Sequence, residues 1–235
     1  MLAAFVMTGH FVAHSISVDG AERRYQVWVP AAYDKSRRWP AILFLHGAGE
    51  RGDDGVAQTR VGLGHALSEG KVDPQAIVVF PQCPLNGHWT GPAQRIAVAA
   101  LEQVIEDYSI DLKRVSLTGM SMGGAGTWSL AYHQPRRFSA IAVICGWVRR
   151  PPNLTDLADV VDHYDTLAQR LGKLPIWIFH GSDDNVVPVT ESRAMAAVLG
   201  ANAAYTEFPG VKHNSWDPAY ETTGVVEWLV KQKRP

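Results

Sequence analysis

Cysteine is scarce in this chain: Cys83 and Cys145 are the only two in 235 residues, and they lack the paired spacing of a metal site. A small disulfide-stapled scaffold is excluded. Both cysteines follow strand-like runs, which places them near one rim of a sheet. Two buried thiols are the expectation, because a disulfide needs a Cα geometry that sequence does not supply. Charge of one sign is also missing: 22 Lys and Arg stand against 23 Asp and Glu, a net −1, and neither sign forms a block. Such a balance advertises neither nucleic acid nor an anionic membrane as a partner. No apolar run approaches the ~18 residues of a membrane span. The opening MLAAFVM is apolar but has no basic stretch and is interrupted by Thr8, Gly9 and His10, so it reads poorly as a signal peptide. A mature secreted chain would lack one too, so a soluble protein of either cytoplasmic or secreted residence fits.

What is present is the alternation of an α/β protein, expected as one domain over residues 1–235 that buries roughly 70 to 75% of its unfolded surface. FVAHSISV and RRYQVWVP, separated by the turn DGAE, predict an N-terminal antiparallel hairpin of edge strands. AILFLH at 41–46 and AIVVFP at 76–81 are near-continuous apolar runs, as in strands buried on both faces, followed by RVSLTG, FSAIAVICG, LPIWIFHG and the weaker AAYTEFPG. Between them, PAQRIAVAALEQVIEDY sets Ala97, Leu101, Val104, Ile105 and Tyr108 on one helical face. Further helices are expected around 58–69, 121–134, 190–199 and 217–232, the last with Asp217 as N-cap and Pro218 at its first position. This order predicts a right-handed, doubly wound, mostly parallel sheet. The stretch 147–170, with RRPPNLTD, is the least regular and suits a small cap element.

Gly119, Ser121 and Gly123 form G-x-S-x-G between a predicted strand and a predicted helix, the context that gives the motif meaning. A nucleophile on so sharp a turn needs neighbours without side chains. No phosphate-binding glycine loop and no H-E-x-x-H are present, which argues against a nucleotide site and a zinc peptidase. A serine needs a base, and the base needs a carboxylate to fix its tautomer. Asp156, Asp159, Asp162, Asp165, Asp183, Asp184, Glu191 and Glu207 all follow Ser121, and WIFHGSDDNVVP is the informative place because a strand ends there. Asp183 and Asp184 compete. His213, in FPGVKHNSWDP, is well placed as base. His46 and His180 each close a strand before glycine and read as hydrogen-bonded structural groups. His65, His133 and His163 read as surface, and His10 and His14 fall on strand rather than on a metal-binding helix face.

FLHGAGERGDDG, GMSMGGAGTW, FHGSDDNVVP and GVKHNSWDPAY together resemble the α/β-hydrolase superfamily, specifically compact serine esterases related to carboxylesterases, dienelactone hydrolases and prolyl-oligopeptidase-like esterases. The resemblance implies an α/β-hydrolase fold with little or no lid and a triad of Ser121, Asp184 and His213. It also implies an oxyanion hole from the backbone N–H groups of Met122 and Ala48. Trp89, Trp147 and Trp216 fall in loops at the same rim and would wall a substrate pocket, whereas the acids of GERGDDG read as a solvated loop. The implied activity is hydrolysis of short-chain or small aromatic carboxylic esters, with a small-molecule ester as partner and no metal or organic cofactor. A peptidase, a feruloyl or acetyl-sugar esterase, and a non-catalytic binding module are the alternatives; dienelactone hydrolysis usually employs a cysteine where Ser121 stands. Oligomeric state is open.

Overall fold

The computed structural model describes residues 9–152, 160–161 and 163–235. The strands are β1 (Gly9–Val18), β2 (Ala21–Pro30), β3 (Trp39–Leu45), β4 (Ile77–Pro81), β5 (Ile110–Met120), β6 (Ile141–Ile144), β7 (Ile176–Gly181) and β8 (Ala203–Phe208). The helices are α1 (Leu63–Ser68), α2 (Gly91–Asp107), α3 (Met122–His133), α4 (Tyr164–Leu171), α5 (Thr190–Leu199), α6 (Trp216–Thr222) and α7 (Val225–Lys231). All eight strands join one sheet in the order β1-β2-β4-β3-β5-β6-β7-β8. β3 to β8 run parallel, and β1 and β2 are antiparallel to their neighbours. Only β1 of the expected edge hairpin is an edge; β4 covers β2.

The apolar runs are explained by burial on both faces. Every residue of β3 is buried, with Ala41, Leu43 and Leu45 facing the layer of α2, α3, α4 and α5, and Ile42 and Phe44 facing α1, α6 and α7. A parallel sheet covered on both sides needs such sequences. The loops that follow β3, β5, β7 and β8 then emerge together at the carboxyl edge, where open α/β sheets bind ligands.

Several sequence expectations are corrected. The helix expected over 217–232 is two helices, parted at Gly224, whose φ of 74° is left-handed and cannot continue an α-helix. Asp217 lies inside α6 and Ser215 takes the N-cap position. The helix expected at 58–69 shrinks to α1, because a separate 3₁₀ turn at Ala57–Thr59 and Gly62 at φ 59° precede it. Within the stretch 147–170 expected to form a small cap, the structure describes 147–152, 160–161 and 163–170, the last segment entering α4, while 153–159 and 162, with Asp156, Asp159 and Asp162, lie outside the described residues, as does the opening MLAAFVM. Cys83 and Cys145 are free and buried, and burial pushes both thiols up to about 12.

Candidate active site

Ser121 sits between β5 and α3 with φ 53° and ψ −119°, a strained conformation for a residue with a side chain. Its N–H is anchored on the carbonyl of Ile144 at 2.9 Å, and its own carbonyl accepts the N–H of Ala125 at 3.1 Å. The flanking glycines are sterically required. A Cβ on Gly119 would lie 2.3 Å from the carbonyl oxygen of Gly123, and one on Gly123 would lie 1.8 Å from that of Leu45. The turn therefore closes only on bare backbone.

His213 comes from the loop after β8 and Asp184 from the loop after β7. His213 Nε2 stands 2.9 Å from Ser121 Oγ, and Nδ1 stands 2.7 Å from Asp184 Oδ2. A carboxylate only accepts, so the neutral imidazole carries its proton on Nδ1 and turns the Nε2 lone pair toward the serine hydroxyl. The Asp184 side chain is fully buried, which pushes its carboxyl upward. Hydrogen bonds from His180, His213 and the backbone N–H groups of Val186 and Val187 outweigh that effect and hold the group well below the usual carboxylate range.

The other acids are elsewhere. Asp183 is exposed and accepts the Ser182 hydroxyl at 2.7 Å. Glu207 pairs with Arg193, and Glu191 accepts the N–H groups of Val148 and Arg149 and the hydroxyl of Tyr164.

A cleft of about 290 Å³ opens over Ser121, lined by the Gly47–Glu50 turn, Met120, Met122, Trp147, Val186, His213 and Trp216. Larger grooves exist, such as one of about 440 Å³ between Glu22–Arg24 and Gly52–Asp54, whose lining includes no serine or histidine. Met122 is the first residue of α3 and Ala48 the first of the 3₁₀ turn Ala48–Glu50, positions whose N–H groups lack an acceptor within their own helix. Arg51 ties this turn down from its side chain, donating to the carbonyl of Ala48 at 2.9 Å. His46 does so from below: Nε2 accepts the Cys83 N–H at 2.9 Å, while Nδ1 donates to the Gly47 carbonyl at 2.6 Å.

Two of the three expected tryptophans line the cleft. Trp89 does not: it is 1% exposed, its indole N–H donates to the carbonyl of His46 at 2.9 Å, and its Cβ fills the space left by Gly126. Glu50 is the opposite correction. Read as part of a solvated loop, it lines the cleft, and burial raises its carboxyl above the ordinary range despite backbone N–H groups of its own turn. His10, His14, His65, His133 and His163 are all absent from the cleft lining. Among the described residues, the potential metal-ligand atoms that cluster belong to Cys145, Asp184 and His213, within 4.8 Å of one another. Asp184 and His213 are already committed to each other.

A serine, histidine and aspartate in hydrogen-bonded line, on a strand–turn–helix elbow above a mostly parallel sheet, are the arrangement of the α/β-hydrolase class. Within it, the chain belongs to the putative esterase family, whose model matches residues 16–216. A solved thermostable esterase is 32% identical with a TM-score of 0.80, over 95% of this chain and 63% of that one. A probable feruloyl esterase C of Aspergillus terreus is 31% identical over 54% of this chain and 47% of its own length. A ferulic acid esterase of Anaeromyces mucronatus shares the fold at 19% identity, with a TM-score of 0.70 over 99% of this chain and 93% of that one. The chain spans about half the length, or less, of the first curated relatives it matches.

Proposed function

We propose that this protein is a serine carboxylesterase acting on small aromatic and short-chain carboxylic esters, feruloyl-type esters among them. The observation that carries the reading is the unbroken line from Ser121 Oγ through His213 to Asp184, at 2.9 and 2.7 Å. Ser121 attacks the ester carbonyl as His213 Nε2 takes its proton. Asp184 orients the ring and stabilises the imidazolium. The amides of Met122 and Ala48 receive the oxyanion, an interaction worth ~2.7 to 4 kcal/mol per donor in enzymes where one can be deleted. His213 then returns the proton to the leaving alcohol, and water repeats the sequence on the acyl-enzyme. Trp147 and Trp216 offer flat apolar walls to a planar acyl group. The carboxylate of Glu50, in the same cleft, repels the product acid and favours its release. The feruloyl esterases among the protein's relatives support an aromatic acyl group. The chemistry needs no metal or organic cofactor, and the even charge balance favours a small-molecule partner over nucleic acid or an anionic membrane.

The test is initial-rate hydrolysis of methyl ferulate, methyl cinnamate and a p-nitrophenyl series from acetate to palmitate, by the wild type and Ser121→Ala. Turnover of the aromatic and short esters, lowered at least ~10³-fold in the variant, is expected. Equal rates for the two proteins would overturn the reading. Faster cleavage of a matched anilide than of its ester would move it to a peptidase.

A further inference from the structure

Asp184 is held by more than the base it orients. Its Oδ1 accepts the N–H groups of Val186 and Val187 at 2.8 and 2.9 Å. Its Oδ2, 2.7 Å from His213 Nδ1, is also 3.2 Å from Nε2 of His180. His180 is fully buried near the end of β7, with Nε2 3.0 Å from the carbonyl oxygen of Val187 and Nδ1 2.7 Å from the hydroxyl of Ser192 on α5. Carbonyl and carboxylate oxygens only accept. The neutral ring therefore carries its proton on Nε2 and shares it between them, and Nδ1 accepts the proton of Ser192. A file of hydrogen bonds runs from Ser192 through His180, Asp184 and His213 to Ser121.

We propose that His180 is a positioning residue for the reaction, its Nε2–H fixing the same carboxylate oxygen that orients His213. The inference rests on the esterase reading above. The two backbone amides already hold Oδ1, so what His180 adds is a second donor on Oδ2. That donor occupies one lone-pair direction and leaves the other for His213. It also disperses the negative charge that His213 meets, so its removal would strengthen the pull of Asp184 on the imidazolium and make His213 more basic. Other charged groups nearby are committed elsewhere. Glu207, beside His180 on β8, is bonded to Arg193 and Tyr205, and the Cys145 thiol near Asp184 is kept protonated by burial.

The experiment compares His180→Leu, which deletes the donor, with His180→Gln, whose amide restores an N–H near the Nε2 position. Both are measured in the full chain, with active sites counted by fluorophosphonate titration. For the leucine variant, kcat per active site falls about tenfold or more while KM stays within about twofold. The acid limb of its kcat/KM profile moves to higher pH, and glutamine recovers most of the rate and the wild-type limb. Equal losses in both variants, or an unmoved limb in the leucine variant, would overturn the proposal. If the leucine variant does not fold, the ring tautomer of the wild type decides: nitrogen NMR is expected to find His180 protonated on Nε2. A proton on Nδ1 alone would leave nothing aimed at Asp184 and would sink the idea. Fluorophosphonate labelling without turnover of any ester would instead overturn the esterase reading, and the tautomer would still decide the role of His180.

Discussion

The indole of Trp216 meets the imidazole of His213 edge to face, with ring centroids 5.3 Å apart and planes at 89°. His213 lies in the loop before α6 and Trp216 is the first residue of that helix, so one wall of the cleft also braces the imidazole. Trp216→Ala removes the ring that steadies His213 and one apolar wall at once. Its kcat/KM for an aromatic ester is expected to fall about tenfold, in line with ~0.5 to 1.5 kcal/mol for an aromatic pair, and Trp216→Phe to restore most of it. Unchanged kinetics on methyl cinnamate in the alanine variant would remove Trp216 from the site.

Gly123 and Gly47 are both buried glycines at the site, yet alanine at each should act differently. On Gly123 the new carbon would stand 1.8 Å from the Leu45 carbonyl oxygen, which belongs to the central strand and has nowhere to go. Overpacking of that kind costs ~1 to 3 kcal/mol or more, so the melting temperature should drop by roughly 5 °C or more. Gly47 has an ordinary φ of −76°, and its new carbon would meet Glu50 Oε2 at 3.1 Å and Ser121 Cβ at 3.7 Å. A methyl there sits on the floor of the cleft. Gly47→Ala should melt close to the wild type while losing kcat/KM, and a scan with initial rates separates the two outcomes.

The strands and the glycine-flanked turn at Ser121 were readable because each depends on local pattern: two-faced burial writes continuous apolar runs, and a sharp turn writes glycines. The choice between Asp183 and Asp184 was not readable from local pattern and came only from the family resemblance, since it depends on which carboxylate the amides of Val186 and Val187 can reach. Trp89 was misplaced for a similar reason. Only the folded chain shows that Gly126, far along the sequence, leaves a hollow for it. Glu50 defied the rule that loop acids face water because a single turn folds it back over Gly47. His180 was legible as a bonded strand-end histidine, but its contact with Asp184 was not. The break at Gly224 was hidden inside a pattern that is otherwise helical.

Glu191 is the bracket for the Trp147 wall. Its Oε2 accepts the N–H groups of Val148 and Arg149, both at 3.0 Å, and its Oε1 accepts the hydroxyl of Tyr164 at 2.8 Å. Glu191→Ala leaves the Val148 amide unpaired in a buried setting, at a cost of about 1 to 3 kcal/mol. The melting temperature should fall and KM for aromatic esters should rise more than KM for acetate. An equal rise for both substrates would argue that Trp147 does not contact the acyl group.

Both thiols are enclosed and raised to about 12, so neither is a thiolate near neutrality. Ellman's reagent should find no reactive thiol in the native protein and two after unfolding, matching the two free cysteines. A fast native reaction would mean that one of these sites opens.

His46 gives stability a pH dependence whose sign can be worked out. Burial pushes its imidazole down to about 4, against ~6.5 in the unfolded chain, because the ring is sealed beneath the Gly47–Glu50 turn, where its Nε2 accepts the Cys83 amide. Above pH ~6.5 neither state binds the proton and the full stability is present. Between ~6.5 and 4 the unfolded chain takes up the proton and the folded one does not, so stability falls with pH. Below about 4 the folded ring protonates too and the loss levels off. The shift corresponds to roughly 3 kcal/mol, or ~6 to 12 °C in a chain of this size. Asp184, held below the ordinary range, acts in the same direction but only as pH drops below ~3.9, so the two effects occupy separate windows. His46→Gln has no proton to gain. It should melt lower than the wild type at pH 7, where a well-bonded ring has been lost, yet its melting temperature should decline less from pH 7 to 4.5. Parallel declines in the two proteins would show that some other group, and not His46, sets the acid sensitivity.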